Sequence, residues 1–297
     1  YESSREILSK IIRDLKAAKE MLAKCDITDE HKIWMSTSYR MLASSMLSND
    51  IASSDVFFAY RGYRMNYYAV TAMLARVYCW AGEYGNAYKE AKEVVDATYS
   101  TGSTSTASCF NFSNSLTTNR KDYNSIIMTF FKSTCYEDYL PYMTKGNDVV
   151  LVVNTTNLFG DEAGADDRNL DLFGDWDGGD IKYSFKYDIK EGTSGTDMIP
   201  AIRLSEMYYI MGEYFAYKDE FSKAGEMLDK VRYARGISTT NLASSIGSLE
   251  VFHTHLIKEM RREFVGEGQM FFQYKRLDQK PKDNVVFVFD KPNNEDI

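Results

Sequence analysis

Two stretches of this chain carry the pattern of paired antiparallel helices, and they restrict its fold more than any other feature. In residues 65–97, small and apolar residues recur every three to four positions on both sides of a turn at Gly82–Gly85, which is the period of an α-helix. Residues 202–235 repeat this arrangement around a turn at Lys218–Phe221. The two stretches predict a scaffold of paired helices.

The small and aromatic positions of the first pair resemble those of a tetratricopeptide repeat: Ala75, Tyr78, Gly82, Tyr84 and Ala87. Small residues let two helices approach closely, and aromatic rings fill the gap between them. Ala224 is the equivalent of Ala87 in the second pair, 137 positions later. A further amphipathic helix is predicted over Ser3–Lys24, and a weaker one over Ile33–Leu47. We therefore expect a mainly α fold.

A long insertion, Thr98–Thr196, separates the two pairs. Its first part, Thr98–Thr118, is rich in Ser, Thr and Asn and predicts a loop. Short strands are predicted from β-branched and aromatic runs at Ser125–Phe131, Asp148–Asn154 and Ile181–Asp188. The chain then divides into a helical part (1–97), a loop-rich insertion (98–198) and a C-terminal helical part (199–297), which we expect to form one compact domain.

The segment Asp161–Asp180 concentrates eight acidic residues among glycines, a composition that predicts a solvated loop. Its end, Asp175–Asp180, is similar to the start of a calcium-binding loop, since hard cations prefer clustered carboxylates. The twelfth position from Asp175 is Lys186, where an EF-hand needs Glu, so an EF-hand is excluded. An irregular calcium site in this segment is the alternative to a solvated loop.

Composition and motifs exclude several classes of function. The net charge is −8 and the pI is about 5.1, whereas a nucleic-acid or anionic-membrane surface needs a basic field. No nucleophile elbow, phosphate-binding loop or dinucleotide fingerprint occurs, so we expect no enzymatic activity. No apolar run reaches the length of a membrane span. His253 and His255 lie two apart on a predicted helix and point about 200° apart, which does not suit one metal ion.

The four cysteines are irregularly spaced and contain no CxxC pair, which matches neither a zinc site nor a dense disulfide framework. Cys79 lies within a helical pattern and is expected in the core. A Cys109–Cys135 disulfide is left open.

The segment Leu256–Leu277 combines a charged helix, a Gly-Glu-Gly break and an aromatic run. Locally it predicts a helix that ends at glycine and is followed by a core-packing segment. Its order of residues resembles the C-terminal signature of the SusD/RagB family. The matching residues are Glu259, Arg261, Arg262, Glu263, Glu267, Gly268, Phe271 and Arg276. Met260, Met270 and Gln273 stand where that family more often has two Arg and an Asp, so part of its ion-pair network is expected to be rewired or missing.

The resemblance extends to an Asp-Arg motif at Gly164–Arg168, a Lys-Tyr strand at Lys182-Tyr183 and a Pro-x-x-Arg helix entry at Pro200–Arg203. It implies a surface-exposed lipoprotein of the bacterial outer membrane that binds oligosaccharide and delivers it to a SusC-like, TonB-dependent transporter. It also implies that an N-terminal part, with its signal and lipid-modified cysteine, lies upstream of Tyr1.

Binding of a sugar requires exposed aromatic rings with hydrogen-bonding groups nearby. On loop placement alone, the candidates for this role are Trp176, Tyr136, Tyr139, Tyr142 and Trp34, with Asp175 and Asp177 beside Trp176. The alternative function is a soluble repeat adaptor that binds a peptide or protein partner in a groove. The interruption at Thr98–Thr196 counts against that alternative.

Overall fold

The part of the chain that the structure describes is mainly helical, as predicted. In this computed structural model that part comprises residues 3–29, 31–35, 61–144, 147, 149–175, 178–188 and 198–277. Its α-helices are α1 (Ser4–Asp26), α2 (Tyr67–Trp80), α3 (Tyr84–Val95), α4 (Cys135–Tyr139), α5 (Thr155–Phe159), α6 (Asp167–Leu172), α7 (Leu204–Ala216), α8 (Phe221–Ala234), α9 (Leu249–Glu263) and α10 (Met270–Arg276). Its strands are β1 (Thr98–Ser100), β2 (Thr106–Ser108), β3 (Ile126–Phe131), β4 (Val152–Asn154), β5 (Phe173–Asp175), β6 (Ile181–Ser184) and β7 (Met198–Arg203).

Helix α1 forms where the amphipathic pattern predicts it. Ser3 and Glu6 make a reciprocal capping box at its N-terminus, with the Ser3 backbone N–H donating to the Glu6 carboxylate at 2.8 Å. At its other end the buried Asp26 carboxylate accepts from Arg61 at 2.9 and 3.0 Å and from the Tyr67 backbone N–H at 2.8 Å. These bonds attach the end of α1 to the beginning of α2.

The two predicted helix pairs, α2–α3 and α7–α8, share one turn geometry. The first turn contains Gly82 at φ +73°, and the second has Asp219 at φ +59° in the equivalent position. The next residues, Glu83 and Glu220, have the same backbone angles, φ −88° and ψ 59°. Because this agreement keeps the predicted spacing of 137 positions, it confirms that the pairs are repeats. Ala87 and Ala224 are both fully buried.

The two pairs pack directly against each other, although a hundred residues separate them in the chain. Tyr84 of α3 stacks on Tyr217, just after α7, with ring centroids 3.9 Å apart, and Tyr88 stacks on Tyr214 at 4.3 Å. Helices α1, α2, α3, α7 and α8 therefore form one continuous stack, from which the insertion loops out. The interruption in sequence is not an interruption in space, so it does not argue against a repeat adaptor.

The insertion contains more regular structure than its composition predicts. Strands β3 and β7 pair antiparallel, with Phe131 opposite Met198, and β4, β6 and β5 form an antiparallel sheet in that order. The three strand predictions are confirmed, with shorter bounds. The prediction of a loop over Thr98–Thr118 is wrong in part, because β1 and β2 pair there as a hairpin. The predicted helix Ile33–Leu47 lies almost entirely outside the described residues, apart from a 3₁₀ turn at Lys32–Met35.

The insertion has a small apolar core of its own. Leu158, Phe159 and Phe173 are buried in it together with Val265, which follows α9. None of the four cysteines, all of which lie within the described ranges, takes part in a disulfide, so the Cys109–Cys135 disulfide is not formed. Cys79 is a buried core residue, as expected.

Candidate functional site

Helix α9 places the charged residues of the C-terminal segment inside the protein. Glu259, Arg262 and Glu263 are each no more than 2% exposed. Glu259 and Arg262 are in contact at 3.0 Å, as their spacing predicts. Arg262 also donates to the carbonyl oxygens of Leu158 and Phe159 at 3.0 and 2.8 Å. Helix α9 therefore brings two buried carboxylates and one buried guanidinium group to the insertion.

Most partners of these residues come from distant parts of the chain. Glu263 accepts from Arg168 at 3.2 Å and from Arg235 at 2.5 and 3.1 Å, and it forms an ion pair with Arg203 at 2.9 Å. Glu259 accepts from Arg168 at 2.9 Å and from Arg232, on α8, at 3.3 Å. We call these residues, together with Asp122, Glu162, Asp166, Lys186, Asp229, Arg262 and Glu267, the buried ion network. It joins α8 and α9 to the insertion.

The insertion supplies part of the network from the acidic segment, and the prediction that this segment is a solvated loop is therefore wrong in part. Asp166 is fully buried and accepts from Arg168 at 2.8 Å. Glu162 accepts from Arg232 at 2.7 Å and from Arg262 at 2.6 Å. The segment also contains α6 and β5. The two arginines that neutralise the Glu162 carboxylate lie 70 and 100 positions later in the chain.

The arginines of the network favour the ionised forms of Glu259 and Glu263. Burial alone would raise the pKa of Glu263, but the charges of Arg235 and Arg203 outweigh it and hold that pKa well below its ordinary value. Burial would also raise the pKa of Glu259, but the charges of Arg168 and Arg262 outweigh it, and that pKa is lowered as well. Lys186 is fully enclosed, and burial lowers its pKa even though Glu267 lies 2.5 Å away. These groups are suited to structure rather than proton transfer, because each charge is engaged by fixed partners.

The remaining signature residues behave differently from one another. Glu267 binds Lys186 and Arg203 at 2.5 and 2.9 Å, and Gly268 has φ +72°. Arg276 makes a two-point contact with the buried Glu213 at 2.6 and 2.7 Å and also donates to Gln273. Gln273 thus supplies a neutral acceptor at one of the three substituted positions.

Other residues of this segment differ in how deeply they are buried. Met260 is buried in the apolar core of α8 and α9, with 1% exposure. Arg261 is only partly buried. Phe271 and Phe272 are 70% and 56% exposed, so the prediction that the aromatic run packs into the core is wrong for these two residues.

The predicted tyrosines Tyr139 and Tyr142 lie together on the insertion. Their ring centroids are 6.5 Å apart, and Tyr139 packs on the buried ring of Tyr187 at 4.6 Å. The Tyr187 hydroxyl donates to the Gly266 carbonyl at 3.2 Å. A Cβ on Gly266 would lie 3.2 Å from the Tyr139 hydroxyl and 3.2 Å from the Tyr187 ring. Glycine at this position therefore lets these two rings pack against the C-terminal segment. Tyr139 is thereby fixed, while Tyr142 is 47% exposed.

Other large apolar side chains in the same stretch also face solvent. Phe130 and Phe131, at the end of β3, are 60% and 68% exposed. We call the five exposed residues of this stretch the insertion surface: Phe130, Phe131, Leu140, Tyr142 and Val149. The stretch folds back on itself through an ion pair between Lys132 and Asp138 and through a 2.8 Å bond from the Leu151 N–H to the Tyr142 carbonyl. Sequence reasoning missed the two phenylalanines because a strand pattern does not distinguish a covered end from an open one.

Of the other predicted ligand residues, Tyr136 adjoins this surface, since its carbonyl oxygen accepts from the backbone N–H of Leu140. Trp34 is half-buried and packs against the core of α2 and α3. Tyr136 is partly exposed on α4. Asp175, at the end of β5, is exposed and lies 3.8 Å from Lys182. Trp176 and Asp177 lie outside the described residues.

Several carboxylates of the predicted calcium segment are bonded to other side chains. Asp180 accepts a bond from Thr156 at 2.7 Å, and Glu162 and Asp166 belong to the buried ion network. Within the described ranges, no group of three or more His, Cys, Asp or Glu side chains is arranged to hold a metal ion. An irregular calcium site stays a prediction, because Asp177 lies outside those ranges. Among the helices that the structure describes, none has the length and apolarity needed to cross a bilayer.

The comparison with protein families identifies the chain. The model of the SusD family matches residues 58–293. The chain belongs to the SusD family. The family suggested by the C-terminal signature is thus confirmed, and the buried ion network contains four of the eight signature residues. No curated protein matches the chain.

Solved structures of SusD-like proteins share the fold. A SusD superfamily protein from Bacteroides thetaiotaomicron is 23% identical, with a TM-score of 0.54 over 77% of this chain and 55% of that one. A putative sugar binding protein from Bacteroides vulgatus is 21% identical, with a TM-score of 0.54 over 72% and 48%. Surface glycan-binding protein A from Bacteroides uniformis is 18% identical, with a TM-score of 0.52 over 72% and 50%. The chain spans about half the length of these proteins.

Proposed function

We propose that this SusD-family protein captures oligosaccharide at the surface of the bacterial outer membrane, without altering it chemically. In this proposal a lipid anchor holds it to the membrane, and it delivers its ligand to a SusC-like, TonB-dependent transporter. Family membership supports this function, as do two solved relatives that are described as sugar-binding and glycan-binding.

The observation that carries the proposal is the exposure of aromatic rings on a rigidly held part of the insertion. The apolar faces of a sugar ring stack on aromatic side chains, and its hydroxyls bond nearby polar groups. Tyr142 offers such a face beside Tyr139, which the Tyr187 ring holds in place. The carboxylates of Glu137 and Asp138 are exposed on α4, the short helix that also contains Tyr139.

A glycan-binding screen with point variants tests the proposal. We expect Tyr142→Ala to weaken binding of the glycan selected by the wild-type protein by about tenfold, which corresponds to about 1.4 kcal/mol. Tyr233→Ala is the matched control, because Tyr233 is 46% exposed but lies on α8 and is not part of the insertion surface. Its affinity should stay within about twofold of the wild type, a difference typical of a surface position.

Two outcomes would count against the proposal. Equal affinities for the two tyrosine variants would remove the insertion surface as the binding site, and Trp176→Ala, tested in parallel, then examines the other predicted anchor. Binding of peptides, with no glycan bound in the screen, would favour the adaptor. The genomic sequence upstream of Tyr1 tests the location, since the proposal requires a secretory signal that ends at a lipid-modified cysteine.

A further inference from the structure

The buried ion network encloses a small cavity that the proposed function does not use. Its volume is about 10 Å³, the size that holds one guest as small as a water molecule. Five cationic side chains and a single carboxylate line it, together with two leucines: Arg120, Arg168, Lys186, Arg203, Arg235 and Glu263. Each of these lining residues is at least nine-tenths buried.

Three of the lining arginines have a buried N–H group without an acceptor among the described residues. These groups are Nε of Arg120, Nε of Arg203 and Nη1 of Arg235. The other nitrogens of the same side chains are bonded, for example Arg235 Nη2 to Asp122 at 2.7 Å. A buried donor that is left without a partner destabilises the folded state, and it does so more strongly when it is charged. Three of them around one cavity indicate a guest that accepts hydrogen bonds.

Among the described residues that line the cavity, the carboxylate belongs to Glu263, and both of its oxygens are already engaged. Oε1 contacts Arg203 and Arg235, and Oε2 contacts Arg168 and Arg235, all within 3.2 Å. A carboxylate has about four lone-pair sites, so little room is left for a further donor. A water molecule in the cavity would need acceptors for its own two hydrogens, and this carboxylate is surrounded by cations. A guest that only accepts hydrogen bonds meets the requirement.

We propose that this cavity is a binding site for a halide ion, with chloride as the natural occupant. A halide accepts several N–H bonds and donates none, and its negative charge is favoured beside five buried cations because Coulomb interactions are strong where water is excluded. The volume is too small for phosphate or a carboxylate ligand. The ion bonds Arg120 of the insertion and Arg203 and Arg235 of the scaffold, so it adds a further link between these two parts.

Crystals of the protein grown in sodium bromide test the site directly. We expect an anomalous bromide peak in the cavity, in contact with the guanidinium groups of Arg120, Arg203 and Arg235. Absence of a peak there would overturn the proposal, whether the cavity then holds water or is empty. This result is independent of the glycan screen, so the site and the proposed function can fail separately.

Thermal unfolding in solution provides the second test. At constant ionic strength, replacing sodium gluconate by sodium chloride should raise the Tm of the wild-type protein, by about 3 °C for each tenfold rise in chloride above its Kd. Arg120→Met removes one of the three unbonded donors and should abolish this dependence. Arg13→Met, at a side chain that is 72% exposed, is the matched control and should retain it.

A wild-type Tm that is the same in the two salts would overturn the proposal, even if bromide binds in the crystal. Equal chloride dependence in the wild type and in Arg120→Met would also overturn it. If Arg120→Met does not fold, the bromide peak and the wild-type Tm together decide the question.

Discussion

Replacement of Glu263 by alanine should destabilise the protein more than the loss of any exposed charge. The carboxylate is 2% exposed at most and contacts three guanidinium groups, those of Arg168, Arg203 and Arg235. In Glu263→Ala these cations stay buried and lose a common acceptor. The reverse change, in which the whole set is replaced by apolar residues, would be far less harmful, because no charge would then be left without a partner.

The four contacts of Glu263 allow the size of the effect to be worked out. Three of them are hydrogen bonds between charged groups, which contribute about 1.5–3 kcal/mol each, so the gross sum is about 4.5–9 kcal/mol. Removal of water from the same charges offsets much of this, and deletion of one partner from a buried ion set costs about 3–5 kcal/mol. Since total stability is about 5–15 kcal/mol, the variant should retain a folded state with a much lower free energy of unfolding.

Urea unfolding at pH 7, followed by circular dichroism, measures this loss. Asp96→Ala is the control, because Asp96 pairs with Lys92 at the surface, where both side chains are about half exposed. Such a pair contributes about 0.3–0.5 kcal/mol. If Glu263→Ala loses less than about 1 kcal/mol, close to the control, the network does not hold the insertion as described.

Two further predictions concern pH and packing. The pKa values of Glu259 and Glu263 are lowered below 4.5 in the folded state, so their contribution is present above pH 4.5 and should be lost as the pH falls below it; urea unfolding between pH 6 and pH 3 should show this fall, and a shallower one in Glu263→Gln. A Cβ at Gly225 would lie 2.6 Å from the backbone of Ala243, so Gly225→Ala should lower the free energy of unfolding by about 1–3 kcal/mol. Gly85→Ala, at a helix position with open space around it, should instead leave stability equal or raise it by up to about 1 kcal/mol, and similar losses in both variants would contradict the packing argument.

The helical scaffold could be predicted from the sequence because its determinants are local. The period of apolar residues, the small residues at the helix contacts and the turn residues all lie within one pair. The equivalence of Ala87 and Ala224 even gave the correct register between pairs. The local pattern does not predict the packing of α3 on α7, because that contact depends on stacked rings that are about 130 positions apart in the chain.

The insertion was harder to predict because its stabilising contacts are long-range. Glu162 lies in a segment with the composition of a solvated loop, and the approach of Arg232 and Arg262 makes its partial burial favourable. Asp166 pairs with the nearby Arg168, which in turn contacts Glu259 and Glu263 on α9. A signal was present in Arg203, which is unusual at the end of the otherwise apolar strand β7. Exposure of Phe131 and Phe271 has no local signal, because a large aromatic residue at either position is equally consistent with burial.

The direct contact between the helix pairs has a consequence for exchanging parts between relatives. Although the helix pairs contact each other directly, Phe110, Ile127 and Met128 of the insertion are also buried in the scaffold core. An insertion transplanted from a relative must therefore preserve this apolar contact, while its exposed loops are free to differ. It must also bring charges that match the charged groups of the scaffold, as Asp122, Asp166 and Lys186 do in this chain.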